Sequence, residues 1–290
     1  MHDFTELDRN IDLNKPEKYH LSIQLGQDGF SFCILEKYIK RYVGIRHYQI
    51  NDKLYFNDYL EKIRSIINED NLLKLPYASV SLLFPTRKSI LIPGDIFEKE
   101  EIKAYFDLND DLDDLDEIHF NFIPLFNTYN VFAIHTDLLN IFRSNFKSLK
   151  LYHQWSSVLC SLELENSKQG SCTLINFNSN FFDLIVVNEM KLIFCNSFEI
   201  KNENDFAFYL LNSLKNLDPE IKKSKILMIG NTSNKSKYFD LLNMYIKNFE
   251  IGDLTEEFSY SPALKNTVKP TFYNLYNIFR CELLEENTGV

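Results

Sequence analysis

Three stretches of the chain hold residues whose types and spacing could do chemistry. The first, TLINFNSNFFDLIVVN at 173–188, sets a polar knot, Asn176-Phe177-Asn178-Ser179-Asn180, between two apolar runs. That pattern predicts a tight strand–turn–strand. Backbone N–H groups in such turns can cradle an anion, and a glycine there lets a phosphate approach the backbone closely. This turn has no glycine, yet it can still close, because Asn tolerates left-handed φ better than most residues. The second stretch, DLNDDLDDLDEI, places Asp107, Asn109 and Asp111 at the first ligand positions of a calcium loop. Leu112 stands where the sharp turn needs glycine, and Ile118 where the bidentate glutamate belongs. The run therefore reads as a solvated acidic loop. The third, GNTSNKSKYFDLL, ends a strand and opens a helix whose N-terminus could attract an anion. N-capping by Ser233 or Asn234 accounts for the same residues.

The remaining reactive side chains are dispersed. The six histidines show no H-x-H or H-x-x-x-H spacing, which argues against a metal site of the zinc type. His153, close to Trp155, reads as a packing partner at a helix start rather than a catalytic base. The five cysteines, Cys33, Cys160, Cys172, Cys195 and Cys281, form no C-x-x-C pair and mostly sit in apolar runs. They read as buried, reduced thiols, which suits a reducing cytosol.

The elements that must position these residues follow from periodicity. Alternating segments at 20–26 and 30–37 flank Asp28-Gly29, a strong hairpin signal, and YVGIRHYQI predicts a third strand over 42–50. FNDYLEKIRSIINED aligns Leu60, Ile63, Ile66 and Ile67 on one helical face, with Asn57 as its expected cap. YASVSLLFP and KSILIPG read as strands, IFEKEEIKAYFDL as a helix, and EIHFNFIPLF with TYNVFAIH as a strand pair. TDLLNIFRSNFKSL aligns Leu138, Phe142, Phe146 and Leu149, with Thr136 as N-cap. HQWSSVLCSLELE carries Trp155, Val158, Leu159 and Leu162 at helical spacing. After the polar break ENSKQGS the order restarts: a hairpin over 172–188, a strand in KLIFCNSFEI, a helix in ENDFAFYLLNSLKNL, a strand in KILMIG and a helix in KYFDLLNMYIKNF. The tail 254–290 reads as a closing helix or strand. Hairpin, third strand, helix, strand, helix thus occurs twice, as an order of elements rather than as residue identity.

Bulk properties bound the function classes. The chain has 290 residues, 45% of them hydrophobic and 25% charged, as in an ordinary globular protein of about two domains. A net charge of −10 would repel a phosphate backbone, so nucleic acid is not an expected partner. The acidic start MHDFTELDRN lacks the features of a secretory signal. No stretch approaches the ~18 consecutive apolar residues of a membrane span. The expected location is the cytoplasm, with any membrane reached through a partner. The expected boundaries are a mobile leader at 1–18, a first half at 19–168 with an insertion at about 94–125, and a second half at 169–290.

Three antiparallel strands followed by a helix crossing to a parallel strand form the ribonuclease-H-like unit, and two such units in tandem resemble the actin-like ATPase superfamily, which includes actin, sugar kinases and heat-shock chaperones. The fold class is thus α/β, two tandem ribonuclease-H-like subdomains with a small insertion in the first. ASVSLLFPTRKSILIPGDIFEKEEIKAYF and NVFAIHTDLLNIFRSNFKSLKLYHQWSSVLCSLE resemble the bacterial actin-like proteins of type IV pilus assembly and cell division. The opening LSIQLGQDGFSFCILE is similar to an uncharacterised bacterial family of unknown function with an actin-like fold. The resemblance implies a nucleotide held between the halves, with phosphates on the hairpin turns and a first-strand aspartate ordering magnesium. Gln24 and Gly26 stand at the first Asp-x-Gly position, so the charge is lost there. Asn176 and Asn178 stand at the second, where both acid and glycine are lost. Gly230 and Asn231 replace the glycine pair that leaves room for adenosine.

The resemblance therefore implies a non-catalytic scaffold or adaptor with a degenerate nucleotide site, no expected cofactor, and a protein partner bound on the insertion or the acidic loop. The alternative is a weak nucleotide-binding ATPase or kinase-like enzyme. In it Gln24 would orient a metal-bound water, Asn176 and Asn178 would donate to phosphate, and Gly230-Asn231 would flank the base.

Overall fold

The computed structural model describes residues 4–26, 29–109, 111–166, 171–217, 226–231, 236–246, 249–253, 257–265 and 270–288. The strands are β1 (Phe4–Leu7), β2 (Tyr19–Gly26), β3 (Gly29–Glu36), β4 (Arg41–Gln49), β5 (Ser79–Phe84), β6 (Ser89–Pro93), β7 (Asp116–Ile123), β8 (Thr128–His135), β9 (Leu149–His153), β10 (Ser171–Phe177), β11 (Phe181–Asn188), β12 (Lys191–Glu199), β13 (Ile226–Gly230), β14 (Phe249–Ile251) and β15 (Ser259–Tyr260). The helices are α1 (Phe56–Glu69), α2 (Ile102–Asp107), α3 (Thr136–Asn145), α4 (Gln154–Asn166), α5 (Glu203–Lys215), α6 (Ser236–Tyr245) and α7 (Tyr273–Thr288). The chain divides into two compact units, one of residues 1–160, 256–268 and 274–290, the other of 161–255 and 269–273.

In the first unit one sheet runs β1-β4-β3-β2-β5-β9, with β15 also on β4, and a second sheet, β6-β8-β7, is built from residues 89–135, wider than the 94–125 read from the sequence. Alternation sends Leu21, Ile23 and Leu25 of β2 and Phe30, Phe32 and Ile34 of β3 to one face. There they pack with Leu60, Ile63, Ile66 and Ile67 of α1 and with Leu138 and Phe142 of α3. Each such side chain contributes about 1.5–3 kcal/mol when fully buried. The caps differ from expectation. Tyr55, without a side-chain bond, precedes α1, and His135 caps α3 by accepting the Asp137 N–H.

The leader is not free over its described residues. Phe4–Leu7 pairs antiparallel with β4, Phe4 opposite His47 and Leu7 opposite Gly44. The edge of β4 offers backbone groups that any short extended segment can satisfy. Arg41 then holds Asp8 at 3.1 Å just beyond the strand.

The tail expected in the second half belongs largely to the first unit. The other face of the main sheet carries His20, Ser22, Cys33, Leu35 and Tyr42, all buried, and α7 covers it with Leu275, Tyr276, Ile278 and Phe279, also buried. The Cys33 thiol donates to Leu275 O and the Tyr42 hydroxyl to Tyr276 O. Glu282 completes the anchorage, lying 3.5 Å from His20 Nδ1, 3.3 Å from Ser81 Oγ and 3.6 Å from Lys37 Nζ.

The second unit holds one sheet, β12-β11-β10-β13-β14. β10, β11 and β12 are antiparallel, while β13 and β14 run parallel to β10 and β13 respectively. This is the order of β4-β3-β2-β5-β9 position for position, so the repeat expected from element order is present in the strand pairing. Phe206 and Leu210 of α5 and Leu242 of α6 pack on Phe177, Phe182 and Leu184.

Candidate functional site

The six candidate positions fall at equivalent strand ends of the two units. In the first unit β2, β5 and β9 are parallel, and in open α/β sheets ligands favour the carboxyl ends of such strands. Gln24 and Gly26 close β2 there. Gly26 faces Gly29 across the hairpin, and its carbonyl accepts the Tyr59 hydroxyl at 3.0 Å. Asp28 of the expected turn lies outside the described residues. Gln24 Oε1 is buried and accepts no hydrogen bond among the described residues.

Beside β2, the ends of β5 and β9 hold a polar cluster that sequence reading did not find. Gln154, fully buried at the start of α4, accepts the Thr86 N–H at 3.1 Å and donates to Thr86 O at 2.8 Å. His153 Nε2 lies 2.9 Å from the same carbonyl, and its Nδ1 receives the Asn130 amide at 2.8 Å and the Trp155 N–H at 3.2 Å. The two donors at Nδ1 assign the proton to Nε2. Asn121 of β7 acts as a substitute strand residue for the edge of β9, donating to Leu151 O at 2.8 Å and accepting the His153 N–H at 3.1 Å. Asparagines at inward positions of β7 and β8 were the available signal. The His153 and Trp155 rings meet edge to face, 5.2 Å apart, which is the packing role the sequence suggests.

Burial pushes the His153 imidazole down to about 3, although its bond to Thr86 O works the other way. The unfolded value is about 6.5. Below it, the unfolded chain takes up a proton that the folded one refuses. The stability from this group is therefore complete above pH ~6.5 and is lost as pH falls toward the folded value. Urea unfolding between pH 6 and 4 should show a shallower pH slope in His153→Gln than in the native protein, by about 1.4 kcal/mol per pH unit. Equal slopes would mean that His153 titrates normally in the fold.

In the second unit the structure brings Asn176, Asn178, Gly230 and Asn231 together. β10 and β13 place Asn176 beside Ile229 and Phe177 beside Gly230, and the Asn231 N–H donates to Phe177 O at 2.8 Å. The Asn176 and Asn178 side chains converge on a residue that sequence reading missed. Asp183 of β11 lies opposite Asn176 and is fully buried. It accepts the Asn176 amide at 2.8 Å, the Asn178 amide at 3.3 Å and the Ser197 hydroxyl at 2.5 Å. Three donors on one carboxyl group match the acceptor-only ionised form. Gly230 has φ +82°, and a Cβ there would collide with Phe177 O and lie 2.8 Å from Asn176 Oδ1. Its glycine is thus required by the approach of β13 to β10.

Other clusters are internally matched. The acidic loop supplies Asp113 and Asp116 to Lys88, at 2.6 and 2.5 Å, and Asp110 lies outside the described residues. A cavity of about 400 Å³ opens beside Arg46, Lys62 and Asp70. Its buried Asp70 accepts from Arg46 and from the Tyr48 hydroxyl, each at 2.7 Å. Among the described residues no group of three His, Cys, Asp or Glu side chains is placed to hold a metal ion. All five cysteines are free thiols, four buried and Cys195 partly exposed. Ser233 and Asn234, the expected helix caps, lie outside the described residues. No described helix is long and apolar enough to cross a membrane.

Two sheets of like strand order, the first with an inserted three-stranded sheet, define an actin-like ATPase fold. A Bacteroides thetaiotaomicron protein with actin-like ATPase fold and unknown function superposes with a TM-score of 0.75 at 20% identity, over 83% of this chain and 93% of that one. A chain of the PilM–PilN type IV pilus biogenesis complex gives 0.62 at 10% identity, over 92% and 99%. The chain belongs to the family described as Protein of unknown function (DUF3822), whose pattern matches residues 8–249. No curated protein matches it.

Proposed function

We propose that this protein is a non-catalytic actin-like scaffold or adaptor of the cytosol that works through a protein partner and no longer grips a nucleoside triphosphate. The observation that supports this most directly is the fate of the second hairpin. Its two asparagine amides, the groups that would have to donate to phosphate, each turn a donor to Asp183 instead. A buried carboxylate under that turn also opposes an anion. In the first hairpin, Gln24 offers a neutral oxygen where a hard anionic one is wanted for magnesium. These residues do not fit Mg-ATP. The insertion offers a partner exposed apolar side chains, Ile96 at 60%, Leu108 at 82% and Leu115 at 51% accessibility. PilM, of the same fold, is seen in complex with PilN.

The second reading, a weak nucleotide site, has one observation in its favour. The buried Gln24 Oε1 without a donor is the kind of group a bound ligand satisfies. Thermal unfolding with and without millimolar Mg-ATP separates the two. A ligand at 100 times its Kd adds about 2.7 kcal/mol, a readily visible shift. The expected result is an unchanged midpoint, and a clear rise would replace the scaffold reading with the nucleotide one.

A further inference from the structure

The inserted sheet and its helix, residues 89–135, hold nearly all of the protein's net charge. They contain eleven acids and two lysines, a net −9 of the chain's −10, so the rest of the chain is close to neutral. Lys103 is held by Asp107 at 2.7 Å, and Lys99 lies over the Phe120 ring, 5.8 Å from its centre. Glu98, Glu100 and Glu101 are exposed and have no ion-pair partner among the described residues. Apolar side chains stand among these acids. The Tyr105 hydroxyl donates to Ile96 O at 2.6 Å and accepts the Glu98 N–H at 3.1 Å, which folds the 96–98 segment onto α2. Leu108 follows Tyr105 by one helical turn, its N–H 3.3 Å from Tyr105 O. Ile96 and Leu108 thus adjoin the half-buried Tyr105, and both are largely exposed. Large apolar side chains gathered within a charged rim mark an interaction site rather than a solvated face.

We infer that this face of the insertion binds a cationic, amphipathic segment of a partner protein, one whose lysines or arginines flank apolar side chains. The inference rests on the scaffold reading and adds the chemistry of the partner. Charge selects that partner. An anionic lipid surface or a nucleic acid would be repelled. A second copy meeting this face with its own would bring the same acids to the contact. A single metal ion needs clustered ligands, and among the described residues no three His, Cys, Asp or Glu side chains are so placed. The acids are instead spread over a surface, which a chain bearing several cations can follow while its apolar side chains cover Ile96 and Leu108. Complementary potentials of this kind speed encounter and set specificity, and they weaken as salt shortens their reach to about 8–10 Å.

Fluorescence anisotropy with the full chain tests it, using a synthetic peptide of lysine, leucine and alanine whose leucines share one helical face. Two control peptides carry glutamate for lysine, or serine for leucine. The lysine–leucine peptide should bind, more weakly as salt rises, and each control should bind at least about tenfold less well. Ile96→Ser with Leu108→Ser should weaken binding about tenfold, and so should Glu98→Lys with Glu101→Lys. All four side chains are exposed, so the melting temperature should stay nearly unchanged. Glu17→Lys with Glu286→Lys makes the same change in total charge at exposed acids outside the insertion, and should alter binding by no more than about twofold. An equal loss in that variant would put overall charge in place of this face and overturn the inference. So would absence of binding, or a serine peptide that binds as well as the leucine one. Self-association of the protein, abolished by Ile96→Ser with Leu108→Ser, would assign the face to a second copy instead. Failure of the scaffold reading shows separately, as a rise in melting midpoint with Mg-ATP.

Discussion

Gly230→Ala should destabilise the second unit by about 3 kcal/mol. A left-handed φ costs a side chain roughly 1–2 kcal/mol, and here φ is +82°. The larger part is steric. The added carbon would collide with Phe177 O and lie 2.9 Å from Phe177 N, both backbone atoms. They cannot swing aside, because that carbonyl also accepts the Asn231 N–H at 2.8 Å. Relief requires β13 to part from β10, a pairing at the centre of the sheet. Urea unfolding, with hydrogen exchange of the β10 and β13 amides to locate the effect, measures it. A glycine kept only to leave room for a ligand would behave differently. Alanine would then change stability by no more than about 0.5 kcal/mol, as surface substitutions do.

Asp183→Ala should cost about 2–4 kcal/mol, from three donors that lose their acceptor at a buried site. The buried Asn176 amide bears most of this, since Asn178 and Ser197 are closer to water. Asp183→Asn keeps the shape and should cost less, about 1–2 kcal/mol, because the new amide turns donors toward donors. The sign is what discriminates. If Asp183 were kept to meet a metal ion rather than the asparagines, neutralising it would remove an uncompensated buried charge and stabilise the protein. Equilibrium unfolding of both variants decides between these outcomes.

Much of the architecture was legible because the two periods are clean. Leu60, Ile63, Ile66 and Ile67 repeat at helical spacing and all are buried on α1. The double occurrence of hairpin, third strand, helix and strand reappears as one strand order in both sheets. What escaped had physical reasons. β1 is only Phe4–Leu7, and an edge strand so short is held by backbone pairing that leaves no side-chain pattern. α7 shows no stripe because Tyr273 to Glu282 are all buried, with the polar Asn274, Asn277, Arg280 and Glu282 interspersed among the apolar residues, so no solvated polar face stands against an apolar one. Leu149 fits the helical spacing of α3 but begins β9, since the helix ends at Asn145 and a parallel strand follows at once.

For the candidate site the strands were legible and the chemistry was not: Gln24 and Gly26 lie on β2, Asn176 on β10 and Gly230 on β13, with Asn178 and Asn231 just beyond the ends of β10 and β13. The role of Asp183 could not be read off, because a lone acid in an apolar run has no partner until the hairpin register sets it across from Asn176. The one available hint was the acid itself, since a charged residue within a buried strand demands donors.

The closure of the main sheet by α7 bears on how the chain is made. Tyr42 waits for the Tyr276 carbonyl, 234 residues downstream. At about 5–20 residues per second, a ribosome needs on the order of 10–50 s to reach it. Throughout that interval the face bearing Cys33, Leu35 and Tyr42 has no roof, while an entire second unit is being synthesised. The nascent first unit therefore keeps that apolar face uncovered until α7 is made, and translation speed governs for how long.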